Sequence, residues 1–335
     1  MWITSSTAKA RTPTAIALGN FDGVHRGHQQ VMQPILPTAE TFQRLRAAAS
    51  QVEDFYPPNL EKTELPHASV VTFNPHPQEF FTGQTRKLLT PLEEKVPLLE
   101  ELGIEQLVLL PFDRELASLS PWQFVEEILV QQLRATYISV GEDFRFGRER
   151  AGTSADLSAI AAHFGVEVSI ASLQTDQDER ISSSQIRQAL EQGEISQANR
   201  LLGRSYTLTG TVEVGEKRGR TMGFPTANLQ LPPAKLLPRQ GVYYVRVSSP
   251  TQLPPTSPQD GVMNIGYRPT VDGTIPTVEV HLLDWSGDLY GQTLTVSLET
   301  FLRSEQKFSS LDALKAQITA DCEAAKRYAQ QKSHD

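Results

Sequence analysis

Short apolar runs alternate with helical patterns through the first half of the chain. Residues 15–18, 69–73, 106–110, 136–140 and 166–170 are rich in Val, Ile or Leu and too short to stand alone as helices, so the pattern predicts buried strands. Helix starts lie between them. Thr90, Pro91 and Glu93 have the order of a cap, a first-turn proline and the reciprocal glutamate of a capping box, ahead of apolar Val96, Leu98 and Leu99. Ser120 and Pro121 repeat the device before Phe124, Val125, Ile128 and Leu129. Strands separated by helices build a parallel α/β sheet, which takes ligands beyond the carboxyl ends of its strands. Residues 51–67 break the alternation: the stretch is polar, holds Pro57, Pro58 and Pro66, and reads as a loop or an inserted excursion.

After Ser182 the texture changes. Two short helical segments, 184–193 and 195–202, precede strand patterns at 206–214, 241–247, 262–265, 278–283 and 294–301, separated by turns rich in Gly, Pro, Asn and Asp. That spacing predicts a small barrel or sandwich. Residues 249–259 read as a surface hairpin loop. A last helix starts near Leu311 with Ser310 as its cap, and Leu311, Leu314 and Ile318 recur at helical spacing, so they are expected to cover one face or end of the barrel.

Length fits this division, because 335 residues is roughly twice an ordinary domain. The expected fold class is α/β. It comprises an N-terminal Rossmann-like domain with a parallel sheet (1–185), a helical linker (186–203), and a small antiparallel β-barrel with a terminal helix (204–335). A net charge of −8 argues against a general electrostatic grip on nucleic acid, yet allows a local basic pocket. The single cysteine, Cys322, excludes an intrachain disulfide, fits a reducing compartment, and is expected in a packing or surface role. The first residues lack the apolar core of a secretion signal, and no run approaches the roughly 18 apolar residues of a membrane span. A cytoplasmic protein with no membrane or nucleic-acid partner is expected; weak self-association is left open.

The strongest local signal follows the first predicted strand: Gly19-Asn20-Phe21-Asp22-Gly23-Val24-His25-Arg26-Gly27-His28. Its glycines permit a tight turn, and a helix start offers backbone N–H groups to phosphate oxygens. His25 and His28 are spaced so that both rings can meet one spot if a helix begins there. They can then hydrogen-bond a triphosphate and stabilise charge as its α-phosphorus is attacked. A transition-metal site and a purely structural turn stay open, although the glycines favour phosphate. A dinucleotide fingerprint is disfavoured, since Gly-x-Gly-x-x-Gly is absent here.

Three further pieces accompany it. Asn74-Pro75-His76-Pro77 closes the second strand, where His76 can enter a ligand crevice or serve structure alone. The turn from Gly141 to Gly147 adds Asp143 and Arg145, with Phe144 and Phe146 either walling a planar substrate or filling core. Ser182, Ser183 and Ser184 stand at a predicted helix N-terminus with Arg187 about one turn on, as a simple cap or as the second jaw of a phosphate clamp.

These pieces together carry a resemblance. The 19–28 element resembles the histidine signature of the cytidylyltransferase-like nucleotidyltransferase superfamily. With Thr72–Pro77, Leu89-Thr-Pro-Leu-Glu-Glu-Lys95, Gly141–Gly147 and Ile181–Arg187, the N-terminal series is similar to the adenylyltransferase module of bacterial bifunctional riboflavin kinase/FAD synthetases. The resemblance implies attack by the FMN phosphate on the α-phosphorus of ATP, with Mg²⁺ assisting and pyrophosphate leaving. It implies that His25 and His28 handle the ATP phosphates, Asn74 contacts the substrate side, and Ser183 with Arg187 holds the pyrophosphate. Ser184 stands where the family has threonine, and a hydroxyl is retained.

The C-terminal half has its own candidates. Gly215, Gly219 and Gly223 punctuate a stretch bearing Lys217, Arg218 and Arg220, which suits a basic flap over phosphates without being a Walker loop. Thr226 and Asn228 are two residues apart, so on an extended segment their oxygens face one side and can hold Mg²⁺ beside a nucleotide; a plain turn is the alternative. Glu279 and His281 alternate with Val278, Val280 and Leu282. On the inward rim of a barrel Glu279 could take a proton from a primary alcohol attacking a γ-phosphate, and a solvent-facing glutamate is the alternative.

With residues 202–204, Asn264–Thr270, Asp284–Gly291 and Phe301–Phe308, this half is similar to the riboflavin kinase module. The resemblance implies Thr226 and Asn228 at Mg²⁺–ATP, Glu279 deprotonating the riboflavin 5′-hydroxyl, and Arg303 with the final helix on the flavin side. Met222 replaces a more typical leucine. The expected function is bifunctional: riboflavin and ATP give FMN, then FMN and a second ATP give FAD. A kinase with a degenerate first module, a non-catalytic flavin-binding protein, and adenylylation of another acceptor are the competing readings.

Overall fold

The computed structural model describes residues 1–37, 65–176, 179–214, 222–253, 257–270 and 273–332. The 51–67 excursion, up to residue 64, and the flap residues Gly215, Lys217, Arg218, Gly219 and Arg220 lie outside this set. The chain divides into two compact units, Met1–Ser182 and Ser183–Asp335.

Besides the two-residue strands β6 (Arg145–Phe146), β7 (Gly152–Thr153), β9 (Thr175–Asp176) and β10 (Glu179–Arg180), the strands of the first unit are β1 (Trp2–Thr4), β2 (Thr14–Leu18), β3 (His67–Asn74), β4 (Gln106–Pro111), β5 (Ala135–Gly141) and β8 (Glu167–Ala171). They form one six-stranded sheet of order β1-β4-β3-β2-β5-β8, with every pair parallel. Alternation sorts each strand onto two faces. Ile16 and Leu18 join Val71, Val108 and Ile138 on one side, while Ala15 and Ala17 join Val70, Leu107 and Tyr137 on the other. Helices cover both faces: α1 (Arg26–Met32), α2 (Pro77–Thr82), α3 (Leu92–Glu101), α4 (Arg114–Ser118), α5 (Pro121–Gln123, widening into a π-helix over Phe124–Gln132) and α6 (Ser154–His163). The chain leaves β2 for β3 on one side and returns to β5 on the other, so β2 stands at the switch in strand order, where such sheets bind ligands.

Three sequence expectations need correction here. Strand β8 is an edge strand rather than a buried one, and Ile170 is 39% exposed. Edge strand β1 was not foreseen, because only three residues pair with β4. The capping box at Thr90 does not form: Pro91 occupies the cap position of α3 without a side-chain bond, and the Thr90 hydroxyl accepts instead from the Gly23 N–H at 2.9 Å. By contrast, Ser120 and Gln123 do form a reciprocal cap before α5.

The second unit begins with α7 (Ser183–Gln192) and α8 (Ile195–Leu202), whose buried Ile195, Ala198, Leu201 and Leu202 form one face. The Asn199 amide donates to the Leu298 carbonyl and its oxygen accepts from the Tyr206 N–H, tying α8 to the strands that follow. Six strands close into a barrel: β11 (Tyr206–Glu213), β12 (Ala227–Gln230), β13 (Gly241–Ser248), β14 (Gln259–Thr270), β15 (Gly273–Leu282) and β16 (Thr293–Arg303), ordered β11-β12-β15-β14-β13-β16 and antiparallel throughout. Strand β12 was read only as an extended segment. Buried residues facing one another in register, such as Leu208 with Val296 and Met263 with Val280, fill the interior.

Helix α9 (Leu311–Lys332) packs on the outside, its start capped by Ser310, whose hydroxyl accepts from the Ala313 N–H. The expected stripe is the one that faces the barrel, with Leu314 and Ile318 half-buried along it, but its main contact lies in the later turns. Leu311 is 67% exposed, while Cys322, Ala325 and Ala329 lie against Val242, Tyr244, Val262 and Leu283. Small side chains let the helix approach a barrel wall that already carries bulky Tyr244. No helix among the described residues is long and apolar enough to cross a membrane.

Candidate functional site

The turn after β2 lies at the carboxyl edge of the parallel sheet, and its backbone is unusual. Phe21 and Val24 have φ of 49° and 44°, and Gly23 has φ of 103°. The first two are costly for residues with a Cβ, Val24 most of all because it is β-branched. Interlocking bonds hold the turn in place. Buried Asp22 accepts from the Leu89 and Thr90 N–H groups at 2.8 and 3.2 Å, and the Gly23 N–H is held by Thr90. The Asn20 carbonyl accepts from the Thr72 hydroxyl at 3.2 Å and from Lys95 Nζ at 3.1 Å. Burial holds the Lys95 ammonium below the usual lysine range, and Asp22 opposes that shift. In the sequence Lys95 stands out only as the end of the 89–95 motif, since its role depends on burial that sequence does not show.

His25 caps α1, its Nδ1 accepting from the His28 N–H at 3.2 Å. The two imidazoles stack, with centroids 3.5 Å apart and planes 18° from parallel, and Phe21 meets His28 edge-on at 5.3 Å. Gly27 permits this: a Cβ there would meet the His25 ring at 3.3 Å. Gly19 likewise lies under the Phe21 ring. His25 and His28 are therefore brought together, while Asp22, Phe21 and Gly23 shape the turn from inside.

The other N-terminal candidates lie at neighbouring strand ends. Asn74 is exposed at the end of β3. His76 caps α2, its ring Nδ1 accepting from the Gln78 N–H while the His76 backbone N–H donates to the Glu79 carboxylate. Asp143 is ion-paired with Arg180. Phe146 is buried in the core with Phe144 packed against it, so this pair serves packing rather than a substrate wall. Sequence reasoning missed another aromatic group, in which Phe73, Phe80 and Phe81 each meet Phe112 edge to face. Phe81 is 70% exposed there, beside the ends of β3 and β4. An exposed cluster of this kind suits a planar ring. Its signal, Phe80-Phe81 four residues beyond His76, was in the sequence.

In the second unit, α7 begins at Ser183, so Ser182, Ser183 and Ser184 stand at its N-terminus and Arg187 lies one turn in, as expected. On the barrel, Asn228 lies on β12 and Thr226 immediately precedes that strand, the two flanking buried Ala227. Glu279 stands in register between Asn228 on β12 and Asn264 on β14, and Asn264 in turn faces Val242. Val242 and Val262 pack against α9, so this row runs along the outer wall. Glu279 accordingly faces outward, not onto the inward rim: Val278, Val280 and Leu282 take the interior positions. Asn264 is a further polar neighbour of Glu279 that period-2 reasoning on single strands could not find. His281 shares the same face and binds the Pro225 carbonyl at 2.8 Å, just before Thr226. Gly223 has φ of 91°, with open space around its Cβ position.

Arg303, on the same wall, is gripped by α9. Its Nε and Nη2 donate to Asp321 at 2.9 and 2.7 Å, and its guanidinium lies 5.9 Å from the Phe308 ring centre.

Comparison with known proteins agrees with this division. A family model for FAD synthetase matches residues 7–53 and 58–185, and one for riboflavin kinase matches residues 202–329. The bifunctional riboflavin kinase/FMN adenylyltransferase of Escherichia coli K12 is 38% identical over 91% of this chain and 90% of its own. Those of Pseudomonas fluorescens and Bacillus subtilis are 40% and 37% identical over 95% and 94% of this chain and 93% and 92% of theirs. A crystal structure described as a macrolide-efflux protein from Streptococcus pneumoniae is 30% identical, covers 97% of this chain and 98% of its own, and superposes with a TM-score of 0.79. The chain belongs to the family of bifunctional riboflavin kinases/FMN adenylyltransferases.

Proposed function

We propose that the barrel unit phosphorylates riboflavin to FMN with one ATP and that the parallel-sheet unit joins FMN to AMP from a second ATP, giving FAD and pyrophosphate. The observation carrying this reading is the pairing, in one chain, of a stacked histidine turn at the mouth of a parallel sheet with a carboxylate set among neutral oxygens on a barrel wall.

In the kinase step Glu279 takes the proton of the riboflavin 5′-hydroxyl as that oxygen attacks the γ-phosphorus and the bond to the departing ADP breaks, a general-base role worth roughly 10²–10⁴ in rate. Thr226 and Asn228 supply uncharged oxygens next to the Glu279 carboxylate, an all-oxygen donor set that fits a hard cation such as Mg²⁺. When bound, Mg²⁺ neutralises charge on the ATP phosphates. Gly215, Lys217, Arg220 and Gly223 cover those phosphates, and Arg303 orients the flavin side.

In the adenylyl step an FMN phosphate oxygen attacks the α-phosphorus, and the bond to pyrophosphate breaks. His25 and His28 hydrogen-bond the triphosphate, with Gly19, Asn20, Phe21, Asp22, Gly23 and Gly27 shaping the turn that receives it. Asn74 and His76 face the substrate side, with the Phe81 aromatic group available to stack on the flavin. Asp143 helps close the wall, and Ser182 offers its hydroxyl to the departing pyrophosphate; Ser183, Ser184 and Arg187, at the α7 N-terminus, are further phosphate-binding groups.

Chromatography of the purified protein with riboflavin, ATP and Mg²⁺ tests the whole reading, and should show FMN followed by FAD. Glu279→Gln should cut FMN formation by at least about a hundredfold while still converting supplied FMN to FAD. Undiminished kinase turnover in that variant removes Glu279 from its role, and the absence of any flavin product from the unmodified chain overturns the reading.

A further inference from the structure

We infer that Thr90 and Lys95 are positioning residues for adenylyl transfer: through a backbone N–H and a backbone carbonyl they fix the strained 20–24 turn in the shape that grips ATP phosphates. The inference rests on the adenylyl-transfer reading of that turn and extends it to residues that themselves touch no phosphate.

The geometry supports it from several directions. A turn with Phe21 and Val24 at positive φ does not persist unless its surroundings over-determine it. Besides the Thr72 hydroxyl on the Asn20 carbonyl and the Gln29 amide on the Val24 carbonyl, those surroundings come from the segment Leu89–Lys95, where the chain enters α3. Leu89 and Thr90 N–H groups hold the Asp22 carboxylate, the Thr90 hydroxyl holds the Gly23 N–H, and Lys95 Nζ reaches the Asn20 carbonyl. Thr90 gives up the helix-capping role open to it, and α3 starts without a side-chain cap. Lys95 is 9% exposed, and an ammonium is buried at substantial cost unless it is paired. It donates to the turn's carbonyl, and the nearby Asp22 carboxylate favours its charged form. The Thr90 and Lys95 side chains therefore point into the turn, and the adjacent α1 N-terminus with its two imidazoles is set by where that turn ends.

The test uses the full chain, in which riboflavin phosphorylation serves as an internal standard. Lys95→Met and Thr90→Val should each lower kcat/KM for ATP in FMN adenylylation by at least about tenfold, the scale expected when one such bond is lost. The loss should appear as a raised KM for ATP, with KM for FMN and the kinase rate within about twofold of the unmodified chain. Thr90→Ser keeps the hydroxyl and should keep the activity. An adenylylation kcat/KM within twofold of normal in Lys95→Met overturns the inference. So does a fall in kcat alone with KM for ATP unmoved, which reports a smaller folded fraction. A parallel loss of kinase activity likewise marks a general structural role and overturns it. Failure of the unmodified chain to make FAD from FMN would instead sink the adenylyl-transfer reading itself.

Discussion

His76 shows how a ring at a candidate site is held by the helix it caps. Its Nδ1 accepts from the Gln78 N–H at 3.1 Å, so the ring proton of the neutral form sits on Nε2. Protonating Nδ1 would abolish the cap. Burial first, and Arg86 second, hold the His76 pKa below the ordinary 6.5, which keeps the ring neutral. Because the folded-state pKa lies below the unfolded value, the stabilisation is complete above pH 6.5 and is lost as pH falls through the lowered pKa. Amide exchange across Gln78–Phe80, corrected for intrinsic rates, should therefore quicken between about pH 7 and pH 5. His76→Asn, an uncharged cap, should remove that dependence, while His76→Ala should cost about 1 kcal/mol at pH 7. An unchanged pH profile in the asparagine variant would show that the ring's titration is irrelevant to α2.

At the scale of elements, local pattern located strands and helices well but misassigned the roles of side chains with more than one partner available. Strand cores such as Ile16–Leu18 were legible because period-2 alternation and burial coincide. Thr90 was not, because its hydroxyl binds Gly23, 67 residues away, rather than its own helix. Glu279 was placed on the correct strand and face partners but on the wrong side of the wall, since alternation cannot tell inside from outside when valines line one face and a helix covers part of the other. On helix α9 the pattern found the right stripe but too near its start. Leu311 is exposed, whereas docking depends on Ala325 and on the Arg303–Asp321 pair, with Gln317 also donating to Asp321 at 2.9 Å. Asp321→Ala leaves Arg303, 21% exposed, beside an apolar contact without its anion, and should destabilise the barrel unit by about 2–3 kcal/mol in denaturant unfolding. Pairing it with Arg303→Met should recover much of that loss. A cost below about 0.5 kcal/mol for Asp321→Ala would mean that small-residue packing alone docks the helix.

At the scale of the molecule, the division into two units has a kinetic consequence. Each unit has its own buried cluster, one built around the parallel sheet and the other around the barrel and α9. Each carries its own candidate nucleotide site, and each reaction consumes its own ATP, one losing the γ-phosphate and the other pyrophosphate. Damage to one site should thus leave the other working. Glu279→Gln protein, given riboflavin, should make neither FMN nor FAD, and His28→Ala protein should stop at FMN. Mixed, the two should produce FAD, because FMN released by the His28→Ala chain can enter the intact sheet unit of the Glu279→Gln chain. The expected time course shows FMN accumulating first and FAD following after a lag that shortens as the Glu279→Gln protein is increased. The linkage is chemical: the 5′-oxygen phosphorylated at the barrel site carries the phosphate that attacks at the sheet site. FAD formation without free FMN, or no FAD from the mixture although each variant performs its remaining step alone, would show that the product of one site does not reach the other through solution.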